Sequence, residues 1–198
     1  MKMNLLKNIY RGMALSVCLL AISAQAEDLN AVVKKALPEA KAAVTKAGVA
    51  FDGATVDWNA INQFNKQAKA VKLPKVMIGG KWLGQTTDLS TPSEFVDGLS
   101  KSLGVPEVTV FQRMNDDGDM LRVATTVKTL DGKRGVGTYV PAIEPDGSQN
   151  IMISTVLEGK PYYGRAKVVD HFSITGYDAI TDGSGKIIGV IFVGVPEK

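Results

Sequence analysis

Apolar residues recur at helical spacing over residues 28–47. Leu29, Val32, Val33, Ala36, Leu37, Ala40, Ala43, Val44 and Ala47 follow that spacing in an Ala- and Lys-rich segment. Pro38 interrupts that pattern, so it either kinks one helix or opens a second at its first turn, and Gly48 ends the run. A further helix is predicted from Asp57, a competent N-cap, with Trp58, Ile61, Phe64 and Ala68 on one face. Thr91-Pro92-Ser93-Glu94 reads as a capping box with proline at the first helical position. Phe95, Val96, Leu99 and Leu103 then point inward up to a stop at Gly104.

From Val108 the period changes to two. VTVFQRM and DMLRVATTV flank Asn115-Asp116-Asp117-Gly118, and Asp131-Gly132 precedes RGVGTYV. A short helix or turn over residues 150–158 comes before Tyr162. GRAKVV and HFSITGYDAI then meet at Asp170, and Asp182-Gly183-Ser184-Gly185 leads into KIIGVIFVGV. Helices followed by a run of antiparallel strands make an α+β domain. With no repeat, low-complexity segment or linker, residues 27–198 read as one domain. The last two strands should pair around Asp182 to Lys186 with Ile187, Val190 and Phe192 buried. Gly189 and Gly194 in so β-branched a strand mark the close approach of another backbone.

The first 26 residues change how charge is read. Lys2, Lys7 and Arg11 precede an apolar run from Met13 to Ile22 and an Ala24-Gln25-Ala26 cleavage site, the three parts of a secretory signal peptide. The expected product starts at Glu27 in the periplasm. An uncleaved anchor is the competing reading, although the apolar run falls short of the ~20 residues a spanning helix needs. Val17 before Cys18 and Leu19-Leu20 after it do not suit a lipoprotein. Of 23 basic and 20 acidic residues, three basic ones lie in this segment, leaving 20 of each. The mature chain thus offers no excess charge for nucleic acid, and with Cys18 removed it can form no internal disulfide.

Catalytic chemistry is poorly supplied. His171 is the single histidine, which leaves no Cys–His pair or His-based zinc site, and no Gly-x-Ser-x-Gly elbow presents a serine. Asp116, Asp117 and Asp119 fall in a turn without completing a calcium loop, and Asp182 to Lys186 joins strand to strand, unlike a P-loop. No cofactor motif is present. A pocket for a small anion is better supported. Alternation puts Arg122, Ala124 and Thr126 on one strand face, which is either solvated or lines a cavity. Tyr163 and Arg165 share a side of a later strand. His171, Ser173, Thr175 and Tyr177 form the polar face of the next, opposite Phe172, Ile174 and Ile180, and Tyr139 lies in a neighbouring strand. Arg134, beside the Asp131-Gly132 turn, reads as a surface residue.

Several segments in order resemble the Cache family of extracytoplasmic ligand-sensing domains, specifically the single-Cache type called the Cache 3/Cache 2 fusion domain. They are Trp58 to Phe64, Leu73-Pro74-Lys75, Gly79 to Gly84, Val108 to Phe111, Leu121 to Val127, Tyr162 to Ala166, Ile174 to Tyr177 and the closing hairpin from Asp170 to Val195. The resemblance implies a PAS-like, five-stranded antiparallel sheet backed by a long N-terminal helix, with a small-ligand pocket on the other sheet face. It favours a short carboxylate or other small organic anion, or an amino acid, as ligand. It adds Arg122, Thr126, Tyr139, Tyr163, Arg165 and Tyr177 as the expected ligand-binding residues. In receptors of the family a transmembrane helix follows the closing hairpin. Here the sequence reads only to Lys198, so the expectation is a stand-alone sensor module with a membrane receptor or sensor kinase as partner. A membrane-anchored subunit, a structural interaction module and a small hydrolase are the alternatives, the last disfavoured by the missing nucleophile and base.

Overall fold

The computed structural model describes residues 28–197; the leader, Cys18 and the expected cleavage site lie outside them. Helix α1 spans residues 28–47 and runs unbroken through Pro38. An interior proline costs a helix about 3 kcal/mol. α1 offsets this by burying Val33, Ala36, Leu37, Ala40 and Val44 completely or nearly so against the sheet.

The helix expected at Asp57 is a strand. β1 (Val49–Asn62) and β2 (Ala68–Ile78) form an antiparallel hairpin, with Trp58 opposite Val71 and Ile61 opposite Ala68. Trp58, Ala60 and Asn62 are buried alternately, so the effective period is two and the helical spacing of Trp58, Ile61 and Phe64 is coincidental. The turn is made by Asn62, whose side chain accepts from the Phe64 N–H at 2.8 Å, and Lys66 takes a left-handed conformation. β3 (Lys81–Trp82) extends the hairpin.

Helix α2 (Glu94–Leu103) starts two residues later than the capping box predicts. Ser93 is its N-cap, with Asp97 accepting from the Ser93 N–H at 2.9 Å, and Gly104 closes it in the left-handed region as expected. Strands β4 (Glu107–Arg113), β5 (Met120–Thr125) and β6 (Thr138–Val140) follow, then helix α3 (Ile151–Leu157), capped by the Asn150 side chain. β7 (Tyr162–Val168), β8 (His171–Thr181) and β9 (Ile187–Pro196) complete the sequence.

Among the described residues the strands form a single nine-stranded sheet in the order β3-β2-β1-β6-β5-β4-β9-β8-β7. The antiparallel core expected with five strands is the run β5-β4-β9-β8-β7. β6 extends it, and a short parallel pairing of Ile61–Asn62 with Thr138–Tyr139 joins it to the β1–β2–β3 hairpin, which makes the sheet mixed. The closing hairpin pairs as predicted, with Val190 and Phe192 buried and Ile187 half-buried.

The sheet has two apolar faces. α1 and α2 cover one, with Val108, Val110, Leu121, Ile174 and Ile191 in its core. α3 covers part of the other, over Phe111, Met120, Tyr177, Val190 and Phe192. Arg134 is not a surface residue. It is 5% exposed and its guanidinium grips both oxygens of Asp97 at 2.7 Å. It also donates to the carbonyls of Thr125, Thr91 and Asp88.

Candidate functional site

The α3-side face carries the polar groups. Arg122 points into it from β5, Thr138 from β6, Glu107 and Thr109 from β4, and Ser173, Thr175 and Tyr177 from β8. Alternation on β5 is broken by a bulge at Val123. Val110 faces Ala124 and Phe111 faces Arg122, so Ala124 turns to the α1 side while Arg122 and Thr125 keep to the α3 side. The expected shared face of Arg122, Ala124 and Thr126 is therefore split. Thr126 lies just past the strand, accepting from the Val108 N–H and donating to the Pro106 carbonyl.

Arg122 is 1% exposed. Its Nη1 donates to the Thr138 hydroxyl at 2.9 Å and its Nη2 to the Gln63 side-chain oxygen at 2.9 Å, while its Nε has no partner among the described residues. The guanidinium lies over the Phe111 ring, 4.8 Å from its centroid. Burial pulls its pKa down to about 10, partly offset by Tyr177, Glu107 and Asp170, so it remains a cation at neutral pH with no carboxylate paired to it among the described residues.

Next to it, Phe111, Tyr177, Phe192 and Tyr162 form an aromatic cluster in which Tyr177 and Phe192 are 4.9 Å apart. Burial pushes the Tyr177 hydroxyl well above its ordinary pKa, keeping it a neutral hydrogen-bonding group. Further along this face, Glu107 is buried and bridges His171 Nε2 (2.6 Å) and the Ser173 hydroxyl (2.8 Å), tying β4 to β8.

A cavity of about 270 Å³ opens on this face between α3 and the β7–β8 edge. Gln63, Val140, Asn150, Met152, Tyr162 and Tyr177 contribute to its lining. Arg122 sits behind this lining, in contact with it through Gln63. Of the six residues expected from the sequence, Arg122 and Tyr177 are brought together here.

The other four are placed differently. Tyr163 packs on the rim of the α1-side core, and Tyr139 is buried in that core with Lys69 over its ring. Thr126 is the residue displaced by the bulge. Arg165 follows the same parity as Tyr163. It stands at the cavity rim along β7, but its guanidinium is 53% exposed, stacked on Phe172 and paired with Glu197 at 2.9 Å. Pairing of Tyr162 with Tyr177 places Tyr162, not Tyr163, on the cavity side. Gln63, Thr138 and Glu107 are additions that the sequence pattern does not single out. Gln63 falls inside the segment with coincidental helical spacing, whereas Glu107, an acid opening a strand with Val108, Val110 and Phe111 in it, is a readable signal.

The Asp116–Asp119 loop is a turn held locally by Asn115, whose side-chain oxygen accepts from the Gly118 and Asp119 N–H groups at 3.0 Å, and tied to distant segments through Asp119. Asp119 accepts from the Ala142 N–H and pairs with Lys69 at 2.7 Å, and among the described residues no group of three or more His, Cys, Asp or Glu is placed to hold a metal ion.

A helix-backed, mainly antiparallel sheet whose opposite face holds a small cavity, a buried cation and aromatic hydroxyls has the build of a ligand-sensing domain. The chain belongs to the Cache 3/Cache 2 fusion domain family, whose model matches residues 17–198. Cache domains are extracytoplasmic sensory modules that bind small ligands and sit in receptors and kinases. No individual curated protein matches the sequence.

Proposed function

We propose that this chain is a periplasmic ligand-binding module that recognises a small organic anion, a short carboxylate, on the α3-side face and passes its occupancy to a membrane receptor or sensor kinase. Export with cleavage after Ala26 belongs to the same reading. The observation that carries it is the half-satisfied side-on edge of Arg122. Nε and Nη2 point the same way, the first unpartnered and the second held by the neutral oxygen of Gln63. A carboxylate displacing that oxygen would take both N–H groups bidentately, supplying the counter-charge the buried guanidinium lacks. Tyr177 and Tyr162, beside it, orient the ligand's remaining atoms. The cavity volume of about 270 Å³ suits a ligand of a few heavy atoms.

A thermal-shift screen against formate, acetate, propionate, lactate, succinate and neutral amides of the same size tests this. A true ligand present at a hundred times its dissociation constant adds about 2.7 kcal/mol of stability. The expected result is stabilisation by at least one carboxylate and not by its amide. Equal stabilisation by acid and amide, or by none of them, contradicts the anion reading.

A further inference from the structure

A second and larger cavity, of about 510 Å³, lies between the end of α1, the β2–β3 hairpin and the first turn of α2. It shares no residue with the α3-side cavity. Its walls are only slightly more apolar than polar. Trp82 is 41% exposed, a large fraction for a tryptophan on a two-residue strand, and Leu83 and Phe95 stand beside it. Such a lining with a few convergent polar groups, at this volume, is the profile of a small-molecule site.

Those polar groups converge at the start of α2. Ser93 is the N-cap of that ten-residue helix, yet its side chain makes no capping bond. The residue is 8% exposed and borders the cavity, and its hydroxyl has no hydrogen-bond partner among the described residues. The next N–H groups, of Glu94, Phe95 and Val96, likewise have no protein acceptor among the described residues. Glu94 and Asp97 already stand in the first turn and Asp97 takes the Ser93 N–H, so what the helix start offers an anion is the set of donors that follow Ser93. At the mouth Lys81 adds a full cation. It is paired to Glu94 at 2.8 Å, with both side chains about three-quarters exposed, so the ammonium can exchange that carboxylate for another.

We propose that this cavity is a second ligand site, taking an amphipathic carboxylic acid. The carboxylate lies at the α2 N-terminus between the Ser93 hydroxyl and the Lys81 ammonium, and the aromatic or aliphatic body lies against Trp82, Leu83 and Phe95. The site is independent of Arg122, so it stands or falls apart from the function proposed above.

The chain has two tryptophans, Trp58 buried in the α1-side core and Trp82 on the cavity wall, so their indole N–H resonances separate the site from the rest of the protein. In a titration with phenylacetate the Trp82 resonance, assigned with Trp82→Phe, shifts saturably while that of Trp58 stays still. Lys81→Gln weakens binding about 1.5- to fivefold, the range of an exposed charge contact. Ser93→Ala weakens it at least about twofold, and Arg122→Met leaves it unchanged. An unmoved Trp58 resonance reports that each variant is folded. The proposal is overturned if no saturable shift appears at millimolar phenylacetate or if phenethylamine, which would use Glu94 instead, binds as tightly. It is equally overturned if Lys81→Gln and Ser93→Ala both bind like the wild type.

Discussion

Arg134→Ala is expected to destabilise the fold by about 3 kcal/mol, lowering the melting temperature by roughly 6–12 °C. Arg134 ties together β5, α2 and the segment leading into α2 by donating to Thr125, Asp97, Thr91 and Asp88. Truncation leaves the Asp97 carboxylate without its fork and three carbonyls short of a donor. Asp97 is about one-third solvent-exposed, which holds the cost below that of a fully buried pair.

The variant should also flatten the acid limb of the stability curve. Partial burial would raise the Asp97 pKa, but the Arg134 fork and the Ser93 N–H outweigh it and hold the carboxyl below its ordinary range. A depressed carboxyl pKa contributes stability that is present above its unfolded value, ~3.9, and lost as pH falls through the folded one. Urea unfolding of wild type and Arg134→Ala at pH 7 and near pH 3 checks both points. The gap between the two proteins narrows at the lower pH. A variant as stable as the wild type at pH 7 would show that the staple is idle.

Gly189→Ala is expected to cost a similar amount, about 3 kcal/mol. Gly189 sits where β9 pairs with both β4 and β8, and an added Cβ would overlap the Phe111 carbonyl oxygen. Phe111 is held in a strand paired on both sides, so the oxygen cannot move without opening the ladder. Gly183, in the β8–β9 turn with nothing near its Cβ position, gives the comparison, and Gly183→Ala should be within about 0.5 kcal/mol of wild type. The two midpoints in urea, read with unchanged slopes, separate a packing effect from a change in the unfolded state.

The close backbone approach at Gly189 was legible in the sequence, because a glycine amid β-branched residues gives up side-chain packing that a strand would otherwise gain. Gly194 departs from that pattern: its neighbours are the side chains of Phe192 and Glu107 instead of a backbone. Long, strongly periodic segments were legible too, and α1, β4, β5, β8 and β9 all lie where alternation or helical spacing puts them. The β1–β2 hairpin was not, since Trp58, Ile61 and Phe64 satisfy a helical template by spacing alone and the Asn62 turn carries no Gly-rich signature. The five-stranded sheet was what the family resemblance implied, and without that hairpin Gln63 has no visible link to Arg122.

The site was partly legible for a related reason. Tyr177 follows from alternation along β8, whereas the bulge at Val123 in β5 leaves Arg122 on the α3 side and moves Thr126 out of register with it. The parity of β7, which sets Tyr162 and Tyr163 on opposite sides, can be assigned only by pairing with β8. The burial of Arg134 was hidden because nearness to a turn in sequence says nothing about which distant helix will cover it; Asp97 lies 37 residues away.

A buried guanidinium that receives a ligand's carboxylate on the face opposite α1 is the centre of the proposed function. Calorimetric titration of wild type, Arg122→Met and Arg165→Ala with the acid selected by the thermal screen tests it most directly. Arg122→Met removes a buried cation whose partners are neutral, so the variant is expected to fold. The predicted result is saturable binding to wild type, a loss of about 1.5–3 kcal/mol for Arg122→Met and nearly unchanged binding for Arg165→Ala, whose guanidinium is committed to Glu197. That loss is roughly ten- to more than a hundredfold in affinity. A folded Arg122→Met that binds the acid as tightly as the wild type would contradict it.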